Sequence, residues 1–154
     1  MKNIEFTVEF TTHVLALGFG PKGDRDHFQR DSHGRIIFQP NWFHSAFTRA
    51  MEIAKVRGIK ASDIQMDLLI DAPTQVWNRK YGQDAYRDHE AILPGSVVTF
   101  HGIVADSITE SVMRLILTKL GSYVGLSPYG YKLGYGHFSL NSVTVEQSDA
   151  EVTV

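Results

Sequence analysis

Positions 4–10 alternate in character. Ile4, Phe6, Val8 and Phe10 are apolar, and Glu5, Thr7 and Glu9 between them are polar. Successive side chains of a strand point to opposite faces, so this period of two predicts a half-buried strand. It is expected to run on through Thr11-Thr12-His13-Val14-Leu15 and to stop at the breaker cluster Gly18-Phe19-Gly20-Pro21-Lys22-Gly23. Residues 24–34 are polar and aperiodic, which predicts a loop. Arg35-Ile36-Ile37-Phe38 reads as a small hairpin arm.

The period then changes. Phe43, Phe47, Ala50, Met51 and Ala54 share one face at helical spacing. Pro40-Asn41 opens this helix, with Asn41 able to cap it and Gly58 placed to terminate it. Ile64, Met66, Leu68 and Ile70 alternate as a second strand, broken by Ala72-Pro73. Residues 74–93 mix polar, aromatic and charged side chains without a period and read as an insertion. Ser96 to Val104 gives a third strand. Ser107-Ile108-Thr109-Glu110 has the spacing of a capping box before Val112, Leu115, Ile116 and Leu120, a helix that should stop at Gly121. Phe138 to Val145 is the fourth strand.

The order β-α-β-β-α-β predicts an α+β, ferredoxin-like domain with an antiparallel sheet and its helices on one face. It should occupy residues 1–146 as a single unit, with the insertion at about 74–93 and a flexible acidic tail over 147–154. That architecture hosts many activities and names none.

Composition narrows the classes. A chain of 154 residues fits one domain. At that length about 70% of the unfolded chain's surface can be buried, so no covalent staple is required. With 43% apolar and 21% charged residues, disorder of the whole chain is excluded. No apolar run approaches the ~20 residues of a membrane-spanning helix. There is no cysteine, hence no disulfide and no thiol nucleophile. Met1-Lys2-Asn3-Ile4-Glu5 lacks the apolar stretch of a signal peptide, so the expected location is the cytoplasm of a cell or of an infected host. The formal charge of −2 hides a basic stretch: Lys22 to Lys60 holds eight Lys/Arg against four acids. A nucleic-acid surface would therefore be local, and scattered solvated charges are the plainer reading of charge alone.

The segment 121–137 holds five of the 13 glycines and four of the six tyrosines. Glycines let backbone amides approach phosphate, and tyrosines offer stacking faces for bases. The pattern is not that of a phosphate-binding P-loop. A turn-rich connection whose glycines only supply positive φ explains it equally well.

Two further stretches join it. Thr12-His13-Val14-Leu15-Ala16-Leu17-Gly18-Phe19-Gly20 is followed by Arg30-Asp31-Ser32-His33-Gly34 and by Pro40-Asn41-Trp42-Phe43-His44-Ser45-Ala46-Phe47-Thr48-Arg49. In this order the chain resembles the RAMP superfamily, the RNA-binding subunits of CRISPR effector complexes. In backbone subunits of that group a His/Gly turn ends the first strand. An Arg-Asp-x-x-Gly stretch and a Pro-Gly-Ser-Ser-x-Lys-Gly-x-x-Arg helix opening follow. Pro94-Gly95-Ser96 resembles the family's entry to a central strand, and Gly134-Tyr135-Gly136 its glycine-rich loop before the last one. Asn41-Trp42-Phe43 and His44 replace the glycine, serines and lysine of the helix opening, which removes phosphate-friendly backbone and charge. The resemblance implies a diverged, minimal relative and leaves a viral origin open.

What it implies is a non-catalytic, RAMP-like module that binds nucleic acid, single-stranded RNA by preference. Its surface would be the 18–35 loop, the start of the first helix and the glycine-rich loop. Arg25, Arg30, Arg35 and Lys132 would contact phosphate, Lys22 and Arg49 would add charge, and Tyr129, Tyr131 and Tyr135 would stack. The implied partners are further copies of the chain or other protein subunits, with no membrane and no cofactor. An alternative is an interaction protein that self-assembles or mimics a CRISPR subunit through apolar residues such as Trp42 and Phe43. A further one is a metal-independent endoribonuclease, with His13, His27, His33 or His44 as acid or base and Tyr135 or Lys132 beside them. Some relatives cleave RNA with an Asp after the first strand, which points to Asp24 or Asp26 flanking Arg25. His101 reads as a structural strand residue. The seven histidines show no HxxxH or HxH spacing, so no metal site is expected.

Overall fold

The computed structural model describes residues 1–16, 27–80, 83, 86–128 and 133–147. In chain order the elements are β1 (Lys2–Phe10), β2 (Val14–Leu15), β3 (Ile36–Ile37), α1 (Pro40–Ala54), β4 (Ile64–Met66), β5 (Leu69–Ile70), β6 (Gln75–Lys80), β7 (Tyr86–Ile92), β8 (Val97–Val104), α2 (Glu110–Lys119) and β9 (Phe138–Gln147). Ile4, Phe6, Val8 and Phe10 are buried along one side of β1, as their alternation requires. β1 lies between β8 and β9, with β4 outside β8, and every pairing is antiparallel. With two helices, this is an α+β arrangement compatible with a ferredoxin-like fold.

The helices cover the apolar face. α1 buries Phe43, Ala46, Phe47, Ala50 and Met51, and α2 buries Met113, Ile116 and Leu117. Phe6 stacks on Phe100 at 5.0 Å between ring centroids, and Phe43 meets Phe100 edge-on at 6.0 Å. Each fully buried phenylalanine contributes roughly 1.5–3 kcal/mol of transfer free energy. The opposite face of the sheet is open: Asn3, Glu5, Glu9, Thr99, His101, Ser139, Thr144 and Glu146 are exposed there.

Several boundaries differ from the sequence reading. β1 ends at Phe10, because the Thr11 and Thr12 amides donate to the His137 carbonyl and turn the chain aside. Val14–Leu15 then pairs with Ala91–Ile92 in a separate three-stranded sheet ordered β2-β7-β6. Arg35 to Phe38 is not simply a hairpin arm: Ile36–Ile37 pairs with Leu69–Ile70, so the expected strand 64–70 is split between two sheets. Asn41 does not cap α1. Gln39 occupies that position without a side-chain bond, and Pro40, with its φ already helical, starts the helix. The helix ends at Lys55, which takes the left-handed conformation itself (φ 56°), three residues before Gly58. In α2 the cap is Thr109, whose Oγ1 accepts from the Val112 amide, while Glu110 accepts from the Val145 amide of β9 instead of closing a capping box. The chain passes Gly121 in a π-helical turn, Leu120–Val124.

The largest departure is the stretch read as an insertion without a period. It holds the hairpin β6–β7, in register from Gln75 opposite Ala91 to Lys80 opposite Tyr86. Its inward positions include Arg79 and His89, both buried, so the alternation exists but is written in polar residues. β9 also carries an irregularity. Thr7 pairs with Ser142 and Val8 with Leu140, leaving Asn141 as an extra residue. Leu140 and Phe138 face inward before it, Val143 and Val145 after it. Residues 148–154, expected as a frayed tail, lie outside the described residues.

Candidate nucleic-acid interface

The opening of α1 faces the segment that follows α2. Asn41, Trp42, Ser45 and Ala46 on one side and Val124–Pro128 on the other line a cleft of about 320 Å³. Its walls mix the Trp42 ring and the side chains of Ala46, Val124, Leu126 and Pro128 with the polar ends of Asn41, Ser45 and Ser127. The helix presents no acidic residue in its first turn. The far wall is held by its glycines. A Cβ on Gly125 would sit 2.6 Å from the Tyr135 carbonyl oxygen, and one on Gly136 would sit 2.6 Å from the Ser127 amide nitrogen. Both have positive φ, 87° and 77°. The two strands of this loop base therefore approach too closely for a side chain, and the Leu126 amide donates to the Gly136 carbonyl across them at 2.9 Å. Ser127 Oγ accepts from the Leu15 amide, which ties the wall to β2. At these two positions the glycines serve backbone packing directly, and the cleft only through it.

An aromatic group lies at the base of the same loop. His13 stacks on Trp77 at 4.3 Å, and Tyr135 meets Trp77 edge-on at 5.8 Å. The His13 carbonyl accepts from the Gly136 amide. Burial lowers the pKa of His13 below its usual value, which favours the neutral ring. Three segments far apart in sequence, at residues 13, 77 and 135, meet here.

The basic candidates are placed differently. Arg30 pairs with Glu90, and its guanidinium also donates to the Gly34 carbonyl and to Thr74 Oγ1. Glu90 further accepts from Thr74 Oγ1 at 2.6 Å and from the Phe28 amide at 2.8 Å. Burial by itself would raise the Glu90 pKa. The bonds from Thr74, Arg30 and the Phe28 amide, with the charge of Arg30, outweigh burial and hold the carboxyl below the usual range. Arg35 pairs with Asp31 at 2.9 Å. Partial desolvation opposes ionisation of Asp31, but bonds from Arg35 and the His33 amide again leave its pKa lowered. Arg49 is exposed on α1, and Tyr135 is half-buried. Lys22, Asp24, Arg25, Asp26, Tyr129, Tyr131 and Lys132 lie outside the described residues.

Phe43, offered as part of an apolar interface, is 4% exposed and packs among Phe38, Phe47 and Phe100, so it belongs to the core. Trp42 is half-buried against Phe38. His101 is exposed on the open sheet face, with Nδ1 3.6 Å from Glu5. No Phe, Tyr or Trp stands on that face among the described residues.

The sequence reading misses Thr74 and Glu90 and does not place Trp77 at this site; all three come from the hairpin and its approach. Behind them, Arg79 Nε donates to His89 Nε2 at 3.2 Å, and His89 Nδ1 lies 2.9 Å from the Ala16 carbonyl. A guanidinium can only donate, so Nε2 accepts and the proton of a neutral His89 sits on Nδ1, directed at Ala16. The only sequence signal for this hairpin was Gly82-Gln83-Asp84 between two β-capable runs.

Among the described residues no group of three or more His, Asp or Glu could hold a metal ion, and no helix is long and apolar enough to cross a membrane. No protein-family model matches the chain, and no curated protein does. Among solved structures, it is similar to a chain in the cryo-EM structure of the Type III-B Cmr-beta bound to cognate target RNA. The two are 15% identical with a TM-score of 0.59, over 95% of this chain and 61% of that one. This chain thus spans about three fifths of that chain's length, and what the two share is the fold.

Proposed function

We propose that this chain is a RAMP-like subunit that binds single-stranded RNA without cutting it and works within a multi-subunit assembly. In this reading its core is ferredoxin-like, and its glycine-rich loop before the last strand forms one bank of the binding surface. The observation that carries it is the cleft between Asn41–Ala46 and Val124–Pro128, where the family-like helix opening faces the glycine-rich segment. The fold shared with a chain from an assembly bound to target RNA supports the same ligand. The open sheet face, with carboxylates and no Phe, Tyr or Trp among the described residues, is a poor platform for bases.

Arg30 and Arg35 enter this reading with their charges already paired. A phosphate must compete with Glu90 for Arg30 and with Asp31 for Arg35. Lys22, Arg25, Arg49 and Lys132 would supply the remaining charge, and Tyr129, Tyr131 and Tyr135 the stacking.

Titration of a fluorescent single-stranded RNA at two salt concentrations tests this. Replacing Arg30 and Arg35 together with Ala should weaken binding for every sequence and flatten the salt dependence, since fewer counterions are released. Tyr135→Ala should cost ~1–3 kcal/mol of affinity and leave the salt slope nearly unchanged, because stacking does not couple to the ion atmosphere. RNA should stay intact throughout. Cleavage that resists EDTA would move the reading to a nuclease. Titrations unchanged in both variants would move it to an interaction protein.

A further inference from the structure

The end of the main sheet where β9 finishes is also where α2 begins. Lys2 lies opposite Gln147 on one side and Val104 on the other, and Val104 lies opposite Ile64. The Val145 amide donates to Glu110 at 3.3 Å, which ties the end of the strand to the first turn of the helix. Beyond that tie the outer surface of the helix layer is basic and apolar. Arg114 is exposed on α2, and Lys55 and Arg57 are exposed just after α1. Leu115 of α2 and Ile53 of α1 are 43% and 39% exposed, on two helices that pack against each other. Within the described residues no carboxylate lies within ion-pair distance of Lys55, Arg57 or Arg114, whereas Arg30 and Arg35 both have one.

The sequence that follows β9 is complementary to this surface. From Glu146 onward it carries Glu146, Asp149 and Glu151 and no Lys or Arg. Ala150, Val152 and Val154 alternate with Asp149, Glu151 and Thr153. In an extended run such alternation sets the acids along one edge and the apolar groups along the other. Seven residues follow Gln147, a reach of ~23 Å when extended. The ten residues of α2 span only about 15 Å.

We propose that residues 148–154 dock on the outer surface of the helix layer of their own chain. Asp149 and Glu151 meet Arg114 and Arg57, and Val152 and Val154 lie against Leu115 and Ile53. Exposed ion pairs are individually weak. The short tether makes the contact intramolecular, so weak contacts suffice. The open face of the main sheet is no rival site, because Glu5, Glu9 and Glu146 stand there with no Lys or Arg among the described residues. Docked in this way, the segment covers a basic, apolar surface that would otherwise attract anionic chains away from the cleft. The cleft itself stays open, since it lies at the start of α1 and Ile53 near its end. The inference goes beyond the proposed function and does not depend on it.

The test uses paramagnetic broadening in the full, isotope-labelled chain. There is no cysteine, so Thr153→Cys provides a single attachment point for a nitroxide. Amide signals of α2 and of Ile53 and Arg57 should be lost, while those of Thr99 and Ser142 on the open sheet face should persist. The loss should lessen near 1 M salt, where the screening length falls to ~3 Å. Arg57→Glu with Arg114→Glu, shown folded by circular dichroism, should restore the helix signals. Adding Asp149→Lys and Glu151→Lys to that variant should remove them again, because the reversed charges match once more. Helix signals that persist in the nitroxide-labelled chain overturn the proposal, as does broadening of the sheet face instead. So does a charge-swapped chain whose helix signals stay intact. Nitroxide-bearing chains without the isotope, mixed with isotope-labelled chains without the nitroxide, should leave every signal in place. Broadening in that mixture would put the segment on another copy and overturn docking within one chain. No RNA is present, so failure here leaves the RNA reading to its own titration.

Discussion

The main sheet and the β6–β7 hairpin are both antiparallel and both packed, yet they are held by different chemistry. In the main sheet the inward row is Ile4, Phe6, Val8 and Phe10, backed by Val98, Phe100 and Val104. In the hairpin the inward row includes Arg79 and His89, buried to 7% and 0% exposure, and its anchors are a guanidinium, an imidazole and the Ala16 carbonyl. The first kind of interior is non-directional and forgiving of detail. The second depends on each donor meeting its acceptor, because a buried polar group left unpaired costs about 1–3 kcal/mol. The hairpin therefore contributes position more than stability. It fixes Trp77 against His13 and Glu90 against Arg30.

The largest loss is expected in the apolar interior. Phe100→Ala removes a ring that meets Phe6, Phe38 and Phe43 and should cost about 3–5 kcal/mol of global stability, read from chemical denaturation. Every probe in the molecule should report the same loss. His89→Leu should cost less, about 1–3 kcal/mol, and the loss should be local. Hydrogen exchange should quicken across residues 75–92 and hardly change in β1 and β8. A uniform loss would mean that the hairpin is integral to the core after all.

Thr109→Ala removes the α2 cap and should cost ~1 kcal/mol, again globally. Glu90→Gln weakens the tie on Arg30 and should raise affinity for RNA while steepening its salt dependence. It also carries a pH signature. The Glu90 pKa is lowered in the fold, so its ionised form stabilises the native state at neutral pH. That contribution is present above the usual carboxylate range and lost as the pH falls through the lowered value. The melting temperatures of wild type and variant should differ at neutral pH and converge in acid.

The same contrast explains what could be read in the sequence. β1, α1, β8, α2 and β9 were legible because their buried positions are apolar and regularly spaced. The hairpin was not, since Arg79 and His89 look like surface residues until the partner of each is known. Strands of two residues, such as β2 and β3, are too short to show a period at all. Helix ends were misplaced wherever chain direction decided them: Pro40 pre-empts Asn41, and Lys55 turns left-handed before Gly58 is reached. For the candidate site, the helix opening and the glycine-rich segment were found through the resemblance. That Arg30 is neutralised was invisible, because Glu90 lies sixty positions away.

The extra residue Asn141 gives β9 a property that a uniform strand lacks. An edge strand that alternates evenly can slide by two residues and still present the same faces, and such slippage is a common route to misregistered sheets. β9 changes phase once, opposite Thr7 and Val8. Sliding it by two would leave the residues between the old and new phase points facing the wrong way, with apolar groups in water or polar ones in the core. The strand is keyed to a single position, as a toothed rack with one double-width gap fits its wheel in one setting. The same kink disturbs the row of hydrogen-bonding groups on the free edge of β9, so a strand from another molecule finds no long, regular template there.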